Sequence, residues 1–459
     1  MASTHHNDVL RIAICGGGIG GLSLALALKT FSRNKKLLVD LYEADPSFTE
    51  IGAGINLWHR SRYILDQLGI DDSLKTRSFS PPMKVRRSNT PDGILYYESQ
   101  TPGDVASVTL HRREMLSLLV EGLGFGTEPD SFIATHFSKR LTGYDQDSSG
   151  VTLHFQDGST AHAHVLVGAD GISSATRKAM YSQLAEHAQM TDPDRADSLM
   201  TNGTPIWAGI HIYRFLIDAA KIRAVEPNHA SLLQSIVWGG EGIHVVTYPI
   251  SPTIINAAMC VDIPGGFGTL LSEHTKVPVA KEEITQLTEG WEEDLQILIK
   301  NSGDIVRWSV SQVQPLPQFV DGRVALLGDS AHAMVPFAGA GAGQAIEDAY
   351  ILGLLLSQPS VNTSNIADVL NIYDTIRKPF SQDVANRSTR MGKFFQLHPD
   401  HLPPHVDFEK TRQGDRAELE KLGNAIDDLW SFHYTEMPSE DWKRAKSMLD
   451  EMLQADGGR

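Results

Sequence analysis

Leu10-Arg11-Ile12-Ala13-Ile14-Cys15-Gly16-Gly17-Gly18-Ile19-Gly20-Gly21 is a short apolar run that enters a glycine loop directly. Leu22 to Lys29, rich in helix formers, follows it, and Leu37 to Glu43 reads as a second strand. Strand, loop, helix and strand in that order predict a βαβ unit, with Glu43 22 positions beyond Gly21. In Gly16-x-Gly18-x-x-Gly21 the glycines permit a tight turn, close approach to a pyrophosphate and close helix–strand packing. The helix start behind them offers N–H donors and a positive dipole end to phosphates. Glu43 is placed to accept hydrogen bonds from an adenosine ribose. This much does not choose between NAD and FAD.

Two later segments do. Gly168-Ala169-Asp170-Gly171 and Gly328-Asp329-Ser330-Ala331-His332 each look like a return of the chain to one dinucleotide, as a larger cofactor requires, and the triple pattern points to a flavin. Val151 to Phe155 and Ala161 to Val165 alternate around Asp157-Gly158, predicting a hairpin whose returning strand delivers the chain to Gly168. Between about 180 and 290 the βα rhythm stops. Strand-like pieces there (Ile206 to Ile217, Ser235 to Trp238, Ile243 to Ile250) predict a mostly antiparallel inserted sheet. Arg323 to Leu327 then reads as a buried strand, Gly343 to Leu356 as a helix, and Pro438-Ser439 as the start of the final helix. Gly265-Gly266-Phe267-Gly268 follows Pro264 with no helical pattern behind it and reads as a loop. A dedicated NAD(P)H domain is therefore not expected.

The expected fold class is α/β. A Rossmann-type domain is assembled from residues 9–75, 105–180 and 290–398, a substrate domain from 76–104 and 181–289, and a helical segment from 399–459. At 459 residues the chain exceeds what one core usually supports. A formal net charge of −16 disfavours nucleic acid and anionic lipid as partners. Two cysteines, Cys15 and Cys260, provide no disulfide framework and suit a reducing compartment. Met1 to Asp8 lacks the apolar core of a signal peptide, and Tyr350 to Leu356 is too short to span a bilayer. The reading is a cytoplasmic protein, monomer or homodimer, with no metal site.

Gly168 to Arg177 resembles the Asp-Gly motif of the class A flavoprotein monooxygenases, the p-hydroxybenzoate hydroxylase and salicylate hydroxylase group. Gly328 to Phe337 resembles their Gly-Asp motif, and Gly339 to Ala349 continues as in that family. The resemblance implies a p-hydroxybenzoate hydroxylase-like fold holding FAD, with NADH or NADPH and O2 as co-substrates. It implies that Asp329 bonds the ribityl chain, that Asp170 sits near the pyrophosphate, and that Arg112 approaches the cofactor while Arg113 is a surface charge. It places Pro336 beside the flavin ring and Gly339, Gly341, Ala342 and Gly343 under its pyrimidine end; Gly54 is counted with these cofactor contacts. His332 is expected to be structural.

The implied activity is hydroxylation of a phenolic or aromatic-acid substrate through a flavin C4a-hydroperoxide. This needs a group that favours phenolate and an apolar pocket. Strand alternation over Trp207 to Arg214 sets His211 and Tyr213 on one face and Arg214 on the other. Arg214 matches an arginine of fungal members, where it would hold a phenolate or carboxylate, against the alternative of a solvated edge charge. His244 and Tyr248 share a face, with Tyr248 the preferred candidate, and Trp238 is either pocket wall or core. A biosynthetic enzyme that hydroxylates or dearomatises a phenolic polyketide fits the same residues, and a non-catalytic FAD-binding regulator is the reading from another class. The halogenase signature Trp-x-Trp-x-Ile-Pro is absent at Trp207-Ala208-Gly209.

Overall fold

Five parallel strands carry the glycine segments to one edge of a sheet. The computed structural model describes residues 9–32, 35–48, 54–77, 83–99, 107–125, 132–269 and 276–457. In the six-stranded sheet the order is Val320–Asp321, Val324–Leu326, Val165–Gly168, Leu10–Cys15, Leu37–Tyr42, Ile133–His136, antiparallel only at the first pair. Leu10–Cys15 and Val165–Gly168 are buried almost throughout, because helices and the strands Leu141–Gln146 and Val151–Phe155 cover the sheet between them and select continuous apolar runs. Helix Ile19–Phe31 buries Ile19 and the eight consecutive residues from Gly21 to Leu28 against this core and helix Gly341–Leu356.

The second sheet has eight strands. Its order is Lys276–Val279, Ile305–Gln312, Ile206–Asp218, Ile254–Asp262, Ile243–Ser251, Ser235–Gly240, Met83–Arg87, Ile94–Glu98. Only Ser235–Gly240 against Met83–Arg87 is parallel. Phe215, Trp238 and Met259 point to one face, where helices Lys281–Leu287 and Glu293–Lys300 cover them with Ile284, Leu295 and Leu298. The alternate positions line a cavity. Trp238 is thus a core aromatic, its indole N–H donating to Thr247 at 2.9 Å.

Three details differ from the sequence reading. The returning hairpin strand breaks at His164: Thr160–Ala163 closes a three-stranded sheet with Val151–Phe155 and Leu141–Gln146, and Val165–Gly168 starts anew in the parallel sheet. Helices Ala175–Gln189 and Pro193–Asn202 pack on the parallel-sheet core, so the chain crosses to the second sheet near 203 rather than 180. It crosses back after Gln312 rather than at 290, since Ile305–Gln312 pairs with Ile206–Asp218. The expected boundary at 104 and the stretch Met1 to Asp8 lie outside the described residues.

The C-terminal segment is not separate. Helix Ile366–Phe395, about 45 Å long at the α-helical rise, ends with Phe394 and Phe395 in a core shared with Met83, Val237, Leu422, Ile426 and Trp430. Helix Arg416–Trp430 therefore caps one flank of the eight-stranded sheet. Among the described residues no helix is long and apolar enough to cross a membrane.

Candidate active site

Neighbouring strands bring the three segments together, with Cys15 beside Gly168 and Gly168 beside Leu326. The Gly168 carbonyl accepts from Leu327 N–H at 2.9 Å and from the Ser330 hydroxyl at 2.5 Å. Arg177, fully buried, donates to the Ile172 carbonyl at 2.5 Å and the Ser330 carbonyl at 2.9 Å, tying the second segment to the third. Gly16, at φ 110°, packs so closely on this junction that a Cβ would lie 2.2 Å from the Ala169 carbonyl oxygen. A Cβ at Gly21 would lie 1.9 Å from the Gly16 oxygen. Gly16 and Gly21 thus shape the loop from behind, and Gly343, which faces Ser61, does the same for its helix. None of the three lines the cavity in front.

That cavity, about 430 Å³, lies between the parallel-sheet edge and the second sheet. Gly18, Gly54, Arg112, Asp329, Pro336, Gly339, Gly341 and Ala342 all line it. Two helix N-termini open into it, Ile19–Phe31 after Gly18 and Gly341–Leu356 after Ala340, and no side chain caps either. Their free N–H groups and dipole ends suit phosphates at one place and negative charge on a flavin at the other. A Cβ on Gly18 or Gly341 would meet nothing within 4 Å, leaving room for such a group. These residues fit FAD: the Gly18 helix start would take the pyrophosphate, and Asp329, exposed at the mouth of Asp329–His332, the ribityl hydroxyls. When bound, FAD supplies electron transfer from NAD(P)H and oxygen activation.

Glu43 and Asp170 stand beside the cavity rather than in its wall. Glu43 accepts from Gly17 N–H at 2.7 Å and Asp45 N–H at 2.8 Å, which leaves carboxylate lone pairs for a ribose. Asp170 accepts from Ser174 Oγ at 2.5 Å and from Thr176 N–H and Oγ1 at 3.0 Å. Its role here is to hold the start of helix Ala175–Gln189, whose N-cap is Ser174. His332 is structural: it is buried and bonds Asp348 at 2.6 Å.

The opposite wall is the second sheet. Arg214 and Tyr248 face the cavity, with Asn256 across from Tyr248 and Ala258 across from Arg214. His211 and Tyr213 point away, Tyr213 donating to Glu283 at 2.7 Å. The Arg214 guanidinium lies over Trp308, 5.6 Å from the ring centroid, a contact that steadies the cation. Burial pushes the Tyr248 hydroxyl up to about 12 even with Arg214 beside it, so at neutral pH it keeps its proton.

His244 is a correction. It shares the face of Tyr248 but is wholly buried behind the wall, its ring 4.9 Å from Phe337 and 5.4 Å from Phe395. Burial pulls its imidazole down to about 3, and neither nitrogen has a hydrogen-bond partner. It is not among the residues that line the cavity. Residues missed in the sequence include Asn256, Trp58, Met83, Phe395 and Trp430 in the wall. The run Asn256, Ala258, Cys260 on one strand face carried a signal, since small and polar alternation suits a face that looks into a cavity. Trp430 carried none.

The chain is similar to known proteins over nearly all its length. Residues 9–388 match the family described as FAD binding domain. A 6-methylsalicylate 1-monooxygenase of Aspergillus terreus is 32% identical over 84% of this chain and 82% of its own. A salicylate hydroxylase of Pseudomonas putida is 30% identical over 92% of both. A solved salicylate hydroxylase substrate complex superposes with a TM-score of 0.77 at 27% identity, covering 96% of this chain and 98% of that one. The chain belongs to the FAD binding domain family. It is an FAD-dependent monooxygenase of the aromatic hydroxylase kind, with NAD(P)H as co-substrate.

Proposed function

We propose that the substrate is a phenol or aromatic acid whose anionic group is held by Arg214. The observation that carries this reading is an arginine on the cavity wall, seated on Trp308, with no ion-pair partner among the described residues. A half-buried guanidinium facing a cavity favours carboxylate or phenolate over the neutral acid. Tyr248 donates to the same group, and Asn256 orients it. The apolar wall from Ile212 to Val246 keeps water from the reacting ring. For each oxygen atom inserted, NAD(P)H and O2 are consumed together and the second oxygen atom leaves as water. The relatives named for salicylates support an aromatic acid.

The test is NAD(P)H oxidation by the purified holoenzyme over a panel of phenols and aromatic acids, with the product identified. Catechol with released CO2 supports a salicylate-type reaction, and a quinol supports dearomatisation; peroxide alone counts against both. Arg214→Met should weaken acidic substrates about 10- to 100-fold in kcat/KM, the loss of a charge-assisted hydrogen bond. Equal activity of Arg214→Met on acids sinks the proposal.

A further inference from the structure

We infer that Lys276 is the entry residue of the site, capturing an anionic aromatic substrate at the cavity mouth and passing it along Trp308 to Arg214. This rests on the proposal that Arg214 holds the substrate's anionic group. Exposure along the sheet locates the mouth. On the cavity face of strand Ile206–Asp218, Ile212 is 3% exposed, Arg214 is half-buried and Leu216 is 48% exposed. Across the sheet the trend repeats. Register sets Ile212 beside Trp308 and Trp308 beside Lys276, a row that runs from buried through half-buried to exposed. The wall therefore opens to water at Arg214 and toward the edge strand Lys276–Val279, and Trp308 lines the way in.

Two cations share that indole. Lys276 Nζ lies 4.8 Å and the Arg214 guanidinium 5.6 Å from the Trp308 ring centroid, so the charges are no farther apart than the sum of those distances. Their strands are two interstrand spacings apart, about 10 Å. Neither cation has an ion-pair partner among the described residues. Glu283 is on the other face of the sheet, taken by Tyr213 at 2.7 Å and Arg307 at 2.9 Å. The ring's electron-rich face steadies each cation, and two like charges without a counter-ion attract an anion to the space between them. On a chain of net charge −16, such a pair is what turns general repulsion of an acid into local attraction. A lysine on an edge strand also discourages pairing with another chain. That role is open to either face of the strand and has no effect on how fast a small acid associates.

The experiment measures association and dissociation rate constants of the oxidised holoenzyme for salicylate, benzoate and 4-hydroxybenzoate, by stopped flow on the flavin's visible absorption, from low to high salt. A unit charge about 10 Å away in water changes the association rate about twofold, so at about 0.01 M salt Lys276→Gln should slow association about twofold and Lys276→Glu about fourfold. Lys276→Arg should keep the parent rate. The differences should vanish near 1 M salt, where charges are screened within about 3 Å. Arg214→Met should act instead on dissociation. Equal association rates across the Lys276 series at low salt overturn the inference, and leave the proposed function standing if Arg214→Met still speeds dissociation. A loss that does not fade with salt also overturns it, because the substitution then acts through packing. Slower association in the Lys276 variants, with dissociation untouched by Arg214→Met, retains the capture step and overturns the proposed role of Arg214. A response to none of the three acids overturns both.

Discussion

His244 and Tyr248, two residues of one strand face paired with Cys260 and Asn256 on the next strand, meet opposite fates. Tyr248 reaches open space, whereas His244 is sealed by Phe337 and Phe395 with both nitrogens unpaired. A buried neutral imidazole has a pH signature. The folded state holds its pKa at about 3 against 6.5 for the free side chain, so between those values the unfolded chain binds the extra proton. Stability contributed by keeping His244 neutral is fully present above pH 6.5 and is lost as pH falls toward 3, by about 1.4 kcal/mol per pH unit. His244→Phe removes the unpaired nitrogens while keeping a ring. It should match or exceed the parent in stability at pH 7.5 and lose less on acidification, with kcat within about twofold. Denaturant midpoints of both proteins from pH 7.5 to 4 check the sign. A variant that loses stability equally with pH, or loses turnover, contradicts this assignment.

At the scale of elements, the parallel strands were legible because burial on both faces demands unbroken apolar runs such as Leu10 to Cys15. The glycine segments were legible because close backbone approach admits no Cβ, as Gly16 against Ala169 shows. The sheet wall was readable only in part. Alternation told Arg214 from Tyr213, but whether His244 or Tyr248 reaches the cavity depends on Phe337 and Phe395, which no local pattern places. Trp430 arrives through packing of helix Arg416–Trp430 on a distant strand, so its spacing held no clue. The uncapped start of helix Ile19–Phe31 yields a prediction of opposite signs. Gly18→Asp sets an N-cap carboxylate where the backbone is at φ −77° and a Cβ meets nothing within 4 Å. The apoprotein should gain a few tenths of a kcal/mol or stay unchanged, since Asp only slightly outperforms Gly there. FAD affinity should fall at least about 100-fold, because a carboxylate now occupies and repels the phosphate position. Thermal melting without FAD and flavin-fluorescence titration separate the two effects; intact FAD binding would refute the assignment of this helix end.

Across the whole molecule, one buried charge network joins the final helix to the cofactor edge. Asp441, on helix Pro438–Gly457, accepts from Arg60 at 3.0 Å, and Arg60 forks onto Glu347 at 3.1 and 2.8 Å. Arg377 bridges Glu347 at 3.2 Å and Asp348 at 2.8 Å. Asp348 then accepts from Gly328 N–H at 3.0 Å, fixing the backbone that presents Asp329 to the cavity. Arg60, Glu347, Asp348 and Arg377 are each at most 2% exposed, so an unmatched charge here is expensive. Arg60→Met leaves Glu347 with the cation of Arg377 alone, which it shares with Asp348, itself also bonded to His332, and should destabilise the holoenzyme by about 3–5 kcal/mol. Adding Glu347→Met removes the carboxylate left short of a partner, so that Arg377 serves Asp348, which keeps His332 as well, while Asp441, 13% exposed, turns to water. The double variant should therefore be more stable than Arg60→Met alone by about 1 kcal/mol or more, despite carrying one more substitution. Urea unfolding at saturating FAD measures all three proteins. Simple additivity of the two losses would mean that packing, rather than charge balance, sets the cost, and that the final helix is held by its apolar face alone.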